Sequence, residues 1–176
     1  MTPAIHVLKI CLVFVCLLNL ASLIAFQVFV ITITNKRLEG IGKPHTVFAW
    51  TEYGTIALSG LLFISYGYSI WGKPMVHRFI RAALLLHLAL FLICTGFQWI
   101  NHQAGLADYY NNETNMFPDN KIKPFSCENF EGTNRMGECI VTQCHNFAPI
   151  VTGFIVVIEV LVTLICRPLP PTKFSL

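Results

Sequence analysis

The sequence predicts an all-α membrane protein, a four-transmembrane-helix bundle with a large extracellular or lumenal loop between the third and fourth helices. Three observations carry that expectation. Of the 176 residues 55% are hydrophobic and only 12% charged, against roughly a quarter charged in an ordinary soluble domain. Four long runs are nearly free of charge, and basic residues gather at one end of those runs. A soluble globule this small would leave large apolar patches in water, a difficulty that lipid removes. The formal net charge of +3 is too small and too segregated for a nucleic-acid footprint, so no nucleic-acid partner is expected.

The first run, residues 10–35, contains no Asp, Glu, Lys or Arg and is long enough at about 1.5 Å per residue to cross a ~30 Å hydrocarbon layer with some tilt. Its apolar core exceeds the 7–15 residues typical of a cleaved signal peptide, so it is taken as a signal-anchor span over 10–34. The second span, 47–71, is interrupted only by Glu52 and framed by Trp50 and Trp71; about 31 Å of helix places one indole in each interfacial belt. The third, 79–100, carries Trp99 near its end, and the fourth, 146–166, holds one acid, Glu159. Helices follow because lipid offers backbone groups no partner outside a helix or a closed barrel, and none of the runs alternates as barrel strands do. The chain 1–176 reads as one transmembrane domain, with residues 101–145 as the exterior loop.

Orientation follows from the charges. Lys9, Lys73, Arg78, Arg81, Arg167 and Lys173 share one side with no acid among them, which the positive-inside rule makes cytoplasmic, together with both termini. The long loop then faces outward, and its sequon Asn112-Glu113-Thr114 is a candidate glycosylation site. The protein is expected in the plasma membrane or the secretory pathway.

The seven cysteines divide by compartment. Cys11, Cys16 and Cys94 lie in the spans, where a thiol behaves as a small hydrophobe. Cys166 beside Arg167 is a palmitoylation candidate. Cys127, Cys139 and Cys144 fall in the exterior segment, where oxidation favours disulfides. Three pairings exist. Cys127–Cys139 is favoured, closing a loop of about 13 residues at ~3 kcal/mol of chain-entropy stabilisation, with Cys144 the alternative partner. A metal site from Cys144, His145 and His102 lacks the usual ligand spacing, so neither a metal nor a cofactor is expected.

Ionisable and amide groups inside a span are expensive and therefore informative. Counting from the helix ends at 1.5 Å per residue puts His87 about 12 Å and Glu159 about 10 Å from the cytoplasmic side, so the two can share a layer and hydrogen-bond, with Asn19 nearby. Gln27, Glu52 and Gln98 form a second, outer set. Such groups serve as polar glue between helices; the other reading is a small transporter or channel subunit using His87 and Glu159. Haem ligation would need a second histidine at the depth of His87. Gly60 and Gly67, seven apart on one face, predict close backbone approach. The sequence lacks GxSxG, HExxH, P-loop, GxGxxG and CxxC patterns and clusters no triad residues, so no enzyme is expected.

The end of the exterior segment, Cys127-x11-Cys139-Ile-Val-Thr-Gln-Cys-His-Asn-Phe-Ala before the last span, resembles the MARVEL-type tetraspans, in particular small fungal members. The resemblance in residues covers about 40 positions; elsewhere it is one of topology, which unrelated proteins share. It implies a non-enzymatic membrane organiser or accessory subunit, with Cys127 and Cys139 as the matching disulfide positions. The long 101–126 segment and the third loop cysteine depart from that pattern. A tetraspanin-like scaffold is the rival, but the Cys-Cys-Gly signature of tetraspanins is absent; claudin-like proteins place the large loop elsewhere. The expected partners are membrane lipids and another integral membrane protein or further copies of the chain, met through helix faces and the aromatic-rich stretch from Tyr109-Tyr110 to Phe125.

Overall fold

The computed structural model describes residues 3–32, 49–71, 78–112, 123, 125–128, 131–133 and 135–166. Helix α1 (Pro3–Ala25) passes directly into a π-helical segment (Phe26–Ile31); α2 is Ala49–Trp71, α3 Arg78–Asn112 and α4 Met136–Cys166. Among the described residues there is no strand. Three stretches, His6–Val28, Phe79–Asp108 and Met136–Ile165, are long and apolar enough to cross a membrane. Helix α2 has comparable length, about 34 Å for its 23 residues at 1.5 Å each, but its serines, threonines, glycines and tyrosines make it less apolar.

Burial recurs every third and fourth residue. Lys9, Leu12, Cys16, Asn19 and Leu23 are buried in α1, Glu52, Thr55, Ser59, Leu62 and Tyr66 in α2, and Ala82, Leu85, Ala89, Leu92 and Trp99 in α3. A seam of that period keeps one face toward a neighbour lying nearly alongside. Helix α4 buries a broader face, including His145, Asn146, Ile150, Thr152, Val156, Glu159 and Val160, because it packs against both α1 and α3. Helix α1 also packs against α2, whereas α2 and α3 touch lightly. Around the bundle the order is therefore α2, α1, α4, α3, with its thinnest seam between α2 and α3.

Helices α3 and α4 approach most closely at two glycines. A Cβ on Gly153 would stand 2.8 Å from the Ala89 carbonyl oxygen and 2.6 Å from Ile93 Cγ1; one on Gly96 would stand 3.1 Å from the Asn146 carbonyl oxygen and run into the Ile150 side chain. Gly60 and Gly67 do not play the part their spacing predicts, since nothing lies within 4 Å of a Cβ at either. Ser59 and Tyr66, each one residue earlier, occupy the α2 seam, and a step of one residue turns the glycines off it.

The exterior segment expected over 101–145 is helical at both ends: α3 continues to Asn112 and α4 begins at Met136. Loss of apolar character does not stop a helix whose seam continues, and buried Ala107 extends the α3 seam beyond Trp99. At 35 residues, α3 is about 52 Å long, more than a ~30 Å hydrocarbon layer requires. Helix α4 starts where Met136 N–H donates to the Thr133 carbonyl at 3.3 Å and Arg135 N–H to Thr133 Oγ1 at 3.3 Å. Glu138 in its first turn complements the helix dipole. The preceding segment is held down by the Cys127–Cys139 disulfide, by Phe125 edge-on to Phe147 at 6.1 Å and by a 2.8 Å ion pair between exposed Lys123 and Glu128. Hydrogen bonding in that pair, reinforced by its charge attraction, raises the Lys123 pKa and lowers that of Glu128. Gly132, at φ 73°, takes the left-handed conformation that glycine adopts without steric penalty.

Candidate functional site

The chemistry of the chain is concentrated in polar layers inside the bundle. Three rungs join α1 to α2. Lys9 Nζ donates to Ser69 Oγ at 2.6 Å, Asn19 Nδ2 to Ser59 Oγ at 2.9 Å, and Gln27 Nε2 to Glu52 Oε2. Along α1 and the π-helical segment that continues it the rungs advance by ten and eight residues while along α2 they retreat by ten and seven, so the pair is antiparallel, with one residue more on the π-helical side. Each rung joins a polar group of one helix to one on the other, which is how an apolar interior tolerates such groups.

At the Lys9 end a second set crosses the bundle. Tyr66 on α2 donates its hydroxyl to Glu159 Oε2 on α4 at 3.1 Å, and Thr163 donates to Oε1 at 2.9 Å. The Arg81 guanidinium on α3 stands 5.9 Å from the Tyr66 ring centroid, at the outer limit for a cation facing an aromatic ring. Glu159 is 1% exposed, so a carboxylate with both oxygens engaged, a tyrosine and a cation come from three helices.

At the opposite end His145 is sandwiched between Phe26 of the π-helical segment, at 3.8 Å between ring centroids, and Trp99 of α3, at 4.0 Å. Asn146 gives its amide nitrogen to Gln103 Oε1 on α3, and its oxygen accepts from His145 Nδ1–H at 3.0 Å. That leaves the lone pair on His145 Nε2 and the Trp99 Nε1–H, both buried, without protein partners. The cluster ties α1, α3 and α4 together where the wider π turn of α1 meets α4.

The residues singled out in the sequence are thus redistributed. Asn19 pairs with Ser59 and Gln27 with Glu52, but Gln98 faces outward and does not join them. His87 does not pair with Glu159. It lies on the exposed side of α3 and hydrogen-bonds through Nδ1 to the Ala83 carbonyl, 2.7 Å away on its own helix, while Glu159 is held by Tyr66 and Thr163. Shared depth does not imply a shared face. Cys127 bonds to Cys139 and Cys144 is free and exposed, as are Cys11 and Cys94; Cys16 is free and buried. His145 points inward among aromatic rings while Cys144 and His102 are exposed, and no three His, Cys, Asp or Glu side chains are grouped to hold a metal ion among the described residues. The side chains of Asn112, Cys166, Tyr109 and Tyr110 lie outside the described residues.

Tyr66, Arg81, Trp99, Gln103 and His145 were not singled out for these roles by sequence reasoning. A signal existed for Tyr66, which stands seven residues from Ser59 and fourteen from Glu52, and for Gly96, which continues the heptad Ala82, Ala89. No family model matches the chain, and neither a curated protein nor a solved structure does.

Proposed function

We propose that the chain is an integral membrane protein with four spans, α2 included, that works as an organiser or accessory subunit of a larger membrane complex in the plasma membrane or secretory pathway. In this reading both termini are cytoplasmic, the disulfide-closed segment is exterior, Asn112 is glycosylated and the chain is related to the MARVEL-type tetraspans. The observation that carries it is the division of labour between inside and outside. Most interior polar groups are spent on cross-helix hydrogen bonds, while Leu18, Ile64, Leu84 and Ile158, one on each helix, are each more than half exposed. What such a chain offers is its surface: apolar helix faces for lipid and neighbouring helices, and an exterior segment bearing exposed Phe125. The placement of His87 away from Glu159 weighs against the transporter alternative, which needs both on one path.

The test is purification from its native membrane in mild detergent followed by identification of what accompanies it. A stoichiometric membrane-protein companion, or a defined homo-oligomer, supports the reading. A monodisperse monomer with no companion contradicts it.

A further inference from the structure

A polar side chain turned toward lipid is costly, because hydrocarbon offers it no hydrogen-bond partner. Three helices avoid the problem. Between Val7 and Val28 of α1 and between Phe147 and Ile165 of α4 every exposed residue is apolar or cysteine. On α2 the exposed polar groups, those of Trp50, Tyr53 and Tyr68, sit near the helix ends. Helix α3 differs. Its exposed side carries His87, Cys94 and Gln98, and since eleven residues make three turns, His87 and Gln98 stand in line. Counted from Phe79 at 1.5 Å per residue, His87 lies about 12 Å and Gln98 about 28 Å along the helix, both inside a ~30 Å hydrocarbon layer. The Gln98 amide makes no hydrogen bond among the described residues, and His87 spends Nδ1 on the Ala83 carbonyl of its own helix, which leaves Nε2 facing outward. Leu84, His87, Phe91, Cys94, Gln98 and Asn101, all exposed, follow one another at alternating steps of three and four, the spacing of a seam between two helices lying alongside.

We infer that this face of α3 packs against the same face of a second copy of the chain, about a two-fold axis along the membrane normal. Complementarity names the occupant. Copies inserted with the same orientation meet with their α3 helices parallel, and in a parallel pair each seam residue faces its own counterpart. A primary amide is complementary to itself, since Gln98 N–H donates to the Gln98 carbonyl of the second copy while its own carbonyl accepts in return. Such amide pairs hold membrane helices together where apolar contacts cannot distinguish protein from lipid. Both His87 rings leave the lipid for the cleft between the copies. The inference deepens the organiser reading by naming one companion, and it rests on that reading for the placing of α3 in lipid.

The experiment uses three full-length proteins, each keeping the Cys127–Cys139 bond and one free thiol, at Cys11, Cys94 or Cys144, in phosphatidylcholine vesicles. Iodine is added as the oxidant that takes up the two electrons released when two thiols join. All three thiols are exposed, so accessibility does not separate them. The Cys94 protein is expected to give the disulfide-linked dimer, and the other two only the level set by random collision. Energy transfer between labelled copies, followed as lipid is added, then gives the dimer dissociation constant. Gln98→Leu should raise it about threefold to thirtyfold, the range of a hydrogen bond between membrane helices. Gln98→Asn should fall between the two, and Phe154→Leu on the outward face of α4 should behave as wild type. If Gln98→Leu does not fold, the wild-type dilution curve decides the matter without a variant. Equal cross-linking of the three proteins overturns the inference, as does wild-type energy transfer no greater than random proximity produces, or an unchanged dissociation constant in Gln98→Leu. A chain that leaves its native membrane with a different protein yet stays monomeric in vesicles overturns this inference and keeps the organiser reading; a dimer that leaves with nothing else supports both.

Discussion

The α1–α2 pair and the α3–α4 pair solve the same problem by opposite means. Between α1 and α2 the contact is spelled in hydrogen bonds, with Lys9–Ser69, Asn19–Ser59 and Gln27–Glu52 setting register. Between α3 and α4 it is spelled mainly in shape, with Gly96 and Gly153 letting backbones meet and the Gln103–Asn146 contact at one end. The difference teaches where energy resides when lipid competes with the core. Apolar side chains are equally content in either, so specificity falls to close backbone packing or to polar partners. Hydrogen bonds between membrane helices contribute modestly because a separated helix also finds partners. Steric fit fails abruptly when violated.

That contrast can be broken in order of expected effect. Gly153→Leu should be the most damaging change, at about 3 kcal/mol or more, because the carbonyl of Ala89 cannot yield as a side-chain tip can. Gly60→Ala and Gly67→Ala should be neutral or stabilising by up to about 1 kcal/mol. Reversible unfolding in mixed micelles measures all three, and a loss at Gly60 or Gly67 equal to that at Gly153 would erase the distinction. Cys127→Ser and Cys139→Ser should behave alike, each losing about 3 kcal/mol, with Cys144→Ser near wild type. Matching losses for Cys144→Ser and Cys127→Ser would point to a different pairing.

Polar rungs come next. Asn19→Ala and Ser59→Ala should each cost about 0.6–2 kcal/mol, and a double-mutant cycle should show coupling. Strict additivity would mean that the rung is geometric only. The smallest effect is expected from Lys123–Glu128, an exposed pair that salt screens. With the Glu128 pKa lowered and the Lys123 pKa raised, its contribution is complete between the usual carboxylate and lysine ranges. It fades as pH falls through the folded value of Glu128 or rises through that of Lys123. The protection factors of amides around residues 123–139, which are exchange rates corrected for the intrinsic pH dependence, should fall slightly at acidic pH, and 1 M salt should remove the difference; higher protection in acid than at neutral pH would reverse the sign.

The sequence announced its helices because uncharged runs of this length have few alternatives, and the seam heptads were present in Glu52, Ser59 and Tyr66. Rotational phase was harder to read. In a soluble helix the polar face marks the outside, but here both sides of α3 are apolar, so nothing in the run announces that His87 faces away from Glu159. Glycine spacing suffers likewise: Gly60 and Gly67 look like a packing face, yet only a partner's position decides which glycines are used. The cluster of Trp99, Gln103, His145 and Asn146 was hidden because it lies where the apolar runs end and the helices continue. Charge counting marks that boundary as loop.

The reading of lipid as the solvent for all four helices is tested most directly by sidedness. Single cysteines at Gly40, Lys73 and Lys123, in a chain keeping the Cys127–Cys139 bond but lacking its free thiols, would be exposed to a membrane-impermeant reagent on intact cells. Gly40→Cys and Lys123→Cys should label from outside and Lys73→Cys only after permeabilisation. Labelling of Lys73→Cys together with Lys123→Cys on intact cells would contradict four crossings.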